Sequence, residues 1–416
     1  MNMKRIIVIG GGAAGLMAGV RAAQLGASVC IIEKMKMVGL KMGITGKGRC
    51  NVTNAAPIED FIKQTPGNGK FLYSAYQQWT NEDMVHLLNS WGVPTKVERG
   101  GRVFPESDKA TDVRNAFIDT YRKLGGQLHL EESVKDLIVR DGAITGVITD
   151  KRTYECDAAI IATGGMSYPL TGSTGDGYEL ASSVGHSIVE LRPSLIPLET
   201  KEHWVKDLMG LSLKNVEVSI IAKNKVQTKQ FGEMLFAHFG VTGPIILSAS
   251  HTVTKLLKKQ VDPIIVEINL KPALSREVLD KRVQRDFIES QNKQLVNVLK
   301  GLLPSKLIPV ICQLAELEGT KAIHDITKEE RLRLVDTIQH MRLTVHKPRP
   351  IAEAIVTAGG ISVKEVDPKT MQSKLVHGLY MAGEVLDVDA FTGGYNLQVA
   401  FSTAYVAATH AAEGGV

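Results

Sequence analysis

The chain has 416 residues, 44% of them hydrophobic and 22% charged, and its 49 Lys and Arg against 44 Asp and Glu leave a net charge of +5. That length suits two or three domains with a large core, in the composition of an ordinary soluble protein. No apolar run is long enough to span a bilayer, and Met1 to Lys4 lead straight into an apolar run with no room for a signal peptide, so a cytoplasmic protein without a membrane partner is expected. The four cysteines (Cys30, Cys50, Cys156, Cys312) are scattered with no C-x-x-C pair, and they read as reduced thiols with no metal site.

Ile6-Ile7-Val8-Ile9 is an apolar strand that runs into Gly10-Gly11-Gly12-Ala13-Ala14-Gly15, and Ser28 to Glu33 makes a second strand with an acidic end. This is a G-x-G-x-x-G turn between a strand and a helix. Gly10 serves the sharp turn, Gly12 leaves room for a pyrophosphate at the backbone, and Gly15 lets the helix pack closely. The helix N-terminus offers N–H groups and a partial positive charge to phosphate. Glu33 stands 21 residues past Gly12, the position of the acid that takes ribose hydroxyls, with Lys34 beside it. Thr45-Gly46-Lys47-Gly48-Arg49-Cys50-Asn51-Val52-Thr53-Asn54 follows, too polar and Gly-rich for a core element and expected to line a ligand. It lacks G-x-x-x-x-G-K-[ST], which excludes a P-loop.

Glu131–Val139 and Ala143–Thr149 form a predicted hairpin turned at Asp141-Gly142. Asp157 to Ala162 is a buried strand running into Thr163-Gly164-Gly165, and a second Gly-rich turn, Gly172 to Gly177, opens a helix through Tyr178, Leu180 and Ala181. Residues 1–190 therefore read as the first part of an α/β nucleotide-binding domain. From 191 to 272 the texture is antiparallel β, with a strand Leu213–Ala222, a turn at Lys223-Asn224-Lys225 and a strand Ile264–Leu270 ended by Pro272. From 273 to 345 it is helical, with starts at Ser275 and at Thr327, whose partner Glu330 completes a capping box. Residues 346–416 return to α/β, with a strand Gly378–Ala382, Gly383-Glu384, then Gly393-Gly394 opening a helix Tyr395–Ala412. The fold class is thus α/β, a discontinuous Rossmann-like domain interrupted by a β-barrel-like plus helical insertion. Between Leu191 and Val345 there are 23 Lys and Arg against 17 Asp and Glu. The plain reading is a solvated face, and the sharper one a surface for RNA.

Only one G-x-G-x-x-G unit is present, whereas separate FAD and NAD(P)H domains would need two. Gly-rich turns at Gly10, Gly164 and Gly393 suit a long extended ligand, so FAD is expected over NAD. Glu384 is placed to reach ribityl hydroxyls. The helix start at Gly394-Tyr395-Asn396-Leu397 is placed to face the flavin and stabilise charge on its pyrimidine edge.

The pieces Val8 to Gly15, Thr45 to Asn51, Gly232-Glu233-Met234-Leu235-Phe236, Gly240-Val241-Thr242-Gly243-Pro244, and Gly383-Glu384 with Gly393-Gly394-Tyr395-Asn396 resemble the BaiN/RdsA-type (YhiN-like) NAD(P)/FAD-dependent oxidoreductases, a family of bacterial flavoproteins. The likeness runs over essentially the whole chain; where this chain has Lys47 the family often has glycine. It implies FAD in a glutathione-reductase-like domain, an insertion covering the flavin, and reduction of carbon–carbon double bonds, in steroid-type enoyl compounds or in ribosomal RNA uridine. It carries over Gly10, Gly12, Ala14, Gly15, Glu33, Arg49, Asn51, Gly164, Gly383 and Gly394 as FAD contacts. Ala13, Lys34, Gly46, Ala162, Thr163, Glu384, Tyr395, Asn396 and Leu397 complete the expected cofactor set. NAD(P)H would bind transiently as reductant, and the other partner is a small-molecule substrate or RNA. For the proton donor, Cys50 is the first candidate, its pKa expected to be lowered by Arg49 and Lys47. Tyr395, His238, Tyr168 and His346 are alternatives, and Arg102 and Arg349 are candidates for an anionic substrate or the NADPH phosphate.

Overall fold

The computed structural model describes residues 3–414. Met1, Asn2, Gly415 and Val416, the outer ends of the expected domains, lie outside the described residues. The chain divides into two compact units, one formed by residues up to Ser194 together with those from Ile351, the other by Leu195–Pro350. The junctions fall a few residues later than 190 and 345 for a physical reason. Ile188–Ser194 pairs antiparallel with Val356–Ile361 in the first unit, and Met341–Pro348 is a barrel strand of the second.

The first unit is built on a five-stranded parallel sheet in the order Leu379–Met381, Ala158–Ile161, β1 (Arg5–Ile9), β2 (Ser28–Glu33) and Gln127–Leu130. In β1, Ile6, Ile7, Val8 and Ile9 are all buried, as a parallel strand covered on both faces requires. Val8 lies between Ile160 and Ile31. Helix α1 (Ala13–Gln24) links β1 to β2 and packs on the terminal helix Tyr395–Glu413 through small residues. Arg21 of α1 stacks on the Tyr405 ring at 4.3 Å and donates to Thr409 Oγ1 at 2.9 Å. The expected hairpin is present as Val134–Arg140 and Ala143–Thr149, and its turn residues Asp141 and Gly142 both have positive φ, as a two-residue hairpin turn demands.

The second unit closes six strands into a barrel: Leu198–Thr200, Gly240–Thr242, Lys225–Ala237, Ser212–Ala222, Ile264–Asn269 and Met341–Pro348. Val218, Ile220, Val266, Ile268 and Leu343 fill its interior. Two expectations need correction here. The supposedly all-β stretch 191–272 contains a fifteen-residue helix, Pro244–Lys258, which starts on proline and buries Ile245, Ile246, Ala249 and Val253 at helical spacing. The supposedly helical stretch 273–345 ends in a strand from Met341, where Met341, Leu343 and Val345 alternate inward. The two helix starts are where they were expected. Ser275 caps Arg276–Ile288, and Thr327 with Glu330 forms a reciprocal capping box on Lys328–Gln339. Among the described residues no helix is long and apolar enough to cross a membrane.

Candidate cofactor site

The parallel strands of the first unit all end on one edge of the sheet, and the residues that follow them are Gly10, Glu33–Lys34, Ala162-Thr163-Gly164 and Ala382-Gly383. The crevice beyond the carboxyl ends of such a sheet is where open α/β folds take ligands. Gly10 (φ 99°) turns the chain out of β1, and its N–H donates to Ile32 O at 2.9 Å. The three glycines then differ in what surrounds them. A Cβ on Gly15 would lie 1.8 Å from Gly10 O, so α1 nests directly against the turn. A Cβ on Gly12 would meet nothing within 4 Å. The fold itself therefore leaves the space above Gly12 open. Gly12 is also the N-cap of α1 with no side-chain cap, so the helix start is left to an anion.

Glu33 closes this turn. Its Oε2 accepts from Gly11 N at 2.7 Å and its Oε1 from Met35 N at 2.8 Å. Burial raises its pKa, and the two N–H groups offset only part of that. Lys34 is drawn away to the second Gly-rich turn, where it pairs with Asp176 at 2.7 Å and donates to Thr174 Oγ1. Thr163 Oγ1 and Tyr178 OH are buried without a hydrogen-bond partner among the described residues, beside the same strand ends. Gly177 permits this, since a Cβ there would sit 2.0 Å from Thr163 Oγ1.

The far end of the expected path is more tightly wired. Gly383 (φ 78°) donates to Thr403 Oγ1 at 2.9 Å. Glu384, expected to take ribityl hydroxyls, accepts instead from Lys41 Nζ at 2.7 Å, Thr357 N at 2.8 Å and Ser167 Oγ at 3.2 Å. Lys41 Nζ also donates to Ser167 Oγ at 2.6 Å. Gly394 (φ 100°) opens the terminal helix, and a Cβ there would strike Thr53 O at 2.2 Å. With its amide turned so that the oxygen meets an N–H and the nitrogen meets carbonyls, Asn51 bridges that turn, accepting from Gly394 N at 2.9 Å and donating to Thr53 O and Val103 O. Asn396 is likewise spent locally, bonded on both sides to the Ala390 backbone. Tyr395 is buried with its ring edge-on to Phe61 at 4.9 Å, and burial raises its pKa. Leu397 is half-buried on the same core.

The loop expected over 45–54 is partly regular. Leu40–Gly48 is a helix broken at Thr45, Gly46 and Lys47, and Thr53–Asn54 is a short strand. Gly46 abuts Phe104, and Arg49 stacks on the Phe104 ring at 4.0 Å while pairing with Glu98 at 2.8 Å and Asp108 at 3.3 Å. Cys50 is fully buried, with its thiol pushed up to about 12 by that burial. The expectation of a lowered pKa is thus overturned, because Arg49 is committed to carboxylates and Lys47 is exposed. His238 belongs to the second unit, exposed on a hairpin tip with its ring edge-on to Phe239. Arg349 pairs with Glu199 at 2.8 Å, and Arg102 with Glu98 at 3.7 Å. Tyr168 is half-buried at φ 53°, and His346 is exposed. Lys41, Ser167, Thr357 and Tyr178 were not anticipated, since none sits in a recurrent motif.

Open space over Gly12, a carboxylate with lone pairs to spare at β2 and two buried hydroxyls without a partner among the described residues, Thr163 after the strand Ala158–Ile161 and Tyr178 in the helix Asp176–Ser183, fit an extended dinucleotide. Fold and site together define a dinucleotide-binding flavoprotein class. The HI0933-like protein Rossmann domain family matches residues 4–410, so the chain belongs to that family, and it is an FAD-dependent oxidoreductase. It is 30% identical to the 3-dehydro-bile acid delta(4,6)-reductase of Clostridium scindens over 99% of this chain and 100% of that one. It is 31% identical to the ribosomal RNA dihydrouridine synthase of Haemophilus influenzae over 97% of each. Among solved structures, 3-ketosteroid delta1-dehydrogenase from Sterolibacterium denitrificans covers all of both chains with a TM-score of 0.54 at 13% identity, a likeness of fold alone.

Proposed function

We propose that this protein reduces a carbon–carbon double bond conjugated to a carbonyl in a small-molecule substrate, in the cytoplasm, with NADH or NADPH as a transient reductant. The observation that supports this reading is full-length similarity to two relatives whose named reactions share that chemistry. Bound FAD supplies the hydride. This chain's residues do the holding. The Gly10–Gly15 turn and the start of α1 would take the pyrophosphate, Glu33 the adenosine ribose, and Thr163 after a strand end and Tyr178 in the helix Asp176–Ser183 would offer hydroxyls. Asn51 and Gly394 hold the start of the terminal helix in place. Arg49, Gly46, Lys34 and Asn396 serve this site by fixing its walls. A single dinucleotide turn implies that nicotinamide visits and leaves.

The proton must come from an acid that substrate can reach. Cys50 is fully enclosed with a thiol at about 12, and in this reading it packs the loop. Tyr395 lies in the core against Phe61. His238 and His346 are the exposed candidates.

The test is anaerobic stopped-flow. The flavin should bleach with one nicotinamide, then recover on mixing with a 4-en-3-one steroid, with a product two mass units heavier. Recovery with neither the enone nor RNA overturns the proposal. Recovery with uridine-containing RNA alone moves it to the second reading. That reading rests on the second unit, where Leu195–Pro350 carries 24 Lys and Arg against 17 Asp and Glu. It requires RNA affinity that falls steeply with salt.

A further inference from the structure

The second unit contains a cavity of about 250 Å³, wholly its own, where the rim of the barrel meets the helical part. Leu213, Val216, Leu270 and Leu307 make it apolar, and Lys214 and Lys271 are the charged residues that line it. No carboxylate does. Both lysines are placed by the backbone. Lys214 lies in a bulge between Leu213 and Val216, next to Asn215 at φ 56°, and a bulge at a barrel rim is a device for re-aiming a side chain. Lys271 follows the last residue of the strand Ile264–Asn269 by two positions, and its N–H is fixed to Asn269 Oδ1 at 2.9 Å.

Lys271 is half-buried and has no side-chain ion pair or hydrogen bond among the described residues. Its one charged neighbour of consequence is another cation. Burial first, and then the Arg282 charge, push its pKa below the ordinary lysine value. Arg282 in turn is used by Gly301 O at 3.2 Å and Asp286 at 3.7 Å. Lysines lay their apolar stems along such a wall and keep their charged heads at its mouth. The two that line this apolar hollow, exposed Lys214 and half-buried Lys271, meet no carboxylate among its lining residues.

We propose that this cavity binds a small amphipathic monocarboxylate, its head on Lys271 and Lys214 and its hydrocarbon body on the leucine-lined floor. The volume lies just below the roughly 300–1,000 Å³ of sites for drug-sized ligands, which favours a compact body. Carboxylate is favoured over phosphate because the cations that line the hollow are two lysine point charges, with no arginine fork among them.

The experiment is calorimetric titration of the full-length flavoprotein with octanoate, with octanol as the body without the charge and acetate as the charge without the body. Saturable binding of one octanoate, at least tenfold tighter than either control, is expected. Lys271→Met should weaken octanoate at least tenfold, leave octanol unchanged, and leave the flavin spectrum and melting temperature at wild-type values, since no ion pair is lost. Should that variant melt early, Lys214→Met, on an exposed side chain, decides the matter through a loss of at least threefold. Octanoate binding no tighter than octanol, or lysine variants that bind octanoate as the wild type does, overturns the proposal.

Discussion

Gly12→Ala should separate the stability of the fold from its affinity for FAD. Gly12 sits at φ −74° and ψ −166°, extended backbone that alanine adopts freely, and a Cβ there meets nothing within 4 Å. Reducing the freedom of the unfolded chain gains about 0.4–1 kcal/mol. Alanine is a poorer N-cap than glycine by roughly half a kcal/mol, so the two effects nearly cancel. The melting temperature of the FAD-free protein should therefore move by less than about 2 °C. FAD meets the same methyl group in the space its pyrophosphate needs, and crowding of this kind costs about 1–3 kcal/mol. At 1.4 kcal/mol per decade the affinity falls by about 5- to 150-fold. Apoprotein titrated with FAD, followed by quenching of flavin fluorescence, reads the affinity, and thermal melting of the same apoprotein reads the fold. Gly15→Ala is the opposite case, because its Cβ would lie 1.8 Å from a backbone oxygen, and that variant should fail to fold with or without flavin. If Gly12→Ala binds FAD within twofold of wild type while its melting temperature is unchanged, the space over Gly12 is not the ligand path.

Glu33→Ala should weaken FAD at least tenfold, given about 1.5–3 kcal/mol for each hydrogen bond to a charged group, and it should also lower the apoprotein's melting temperature because Gly11 N and Met35 N lose their acceptor. All four cysteines are buried, with Cys30, Cys50 and Cys156 pushed up to about 12, so a colorimetric thiol reagent at pH 8 should find no fast-reacting thiol in the native protein and four after denaturation; one fast thiol would contradict this. Glu330 is held below its usual pKa of 4.5, chiefly by Lys321 and then by Thr327 N. A carboxylate depressed in the folded state contributes stability above its unfolded pKa and loses it as pH falls through the folded one. Urea unfolding should therefore show Lys321 and Glu330 supporting the second unit at pH 6, with that support declining as the pH falls below 4.5 and gone only once it has passed the folded pKa, and Glu330→Gln should flatten that slope.

The parts of this protein that were legible in its sequence are those set by local rules. The β1–α1–β2 unit follows from β-branched runs around a glycine turn, and the capping box at Thr327 and Glu330 follows from a four-residue pattern. The strand Met341–Pro348 carried the correct alternation, but five residues of it fell inside a stretch read as helical because the helix before it ends at Gln339 with no proline or glycine to mark the change. The helix Pro244–Lys258 was hidden by β-branched Ile245, Ile246 and Val253, whose burial outweighs their modest helix propensity. In the site, the backbone positions were legible and the side-chain partners were not. Arg49 and Cys50 stand together in sequence, yet one faces Glu98 and Asp108 and the other faces the core. Nothing local encodes Glu98 or Asp108, which are 49 and 59 positions away from Arg49.

The two carboxylates expected to serve opposite ends of FAD show how differently such groups are committed. An ionised carboxylate has about four lone-pair positions. Glu33 uses two of them, both on backbone N–H groups of its own turn, and the remaining pair is free to take ribose hydroxyls without dismantling anything. Glu384 uses three, on Lys41, Ser167 and Thr357 N, and so ties together parts of the first unit that lie 343, 217 and 27 positions from it. Drawing Glu384 onto a ribityl chain would leave a part-buried Lys41 without its charge partner, and breaking such a pair costs more than an exposed contact returns. In the proposed reading, Glu384 would therefore act on the flavin end through the wall it holds, whereas Glu33 would act on the adenosine end by contact.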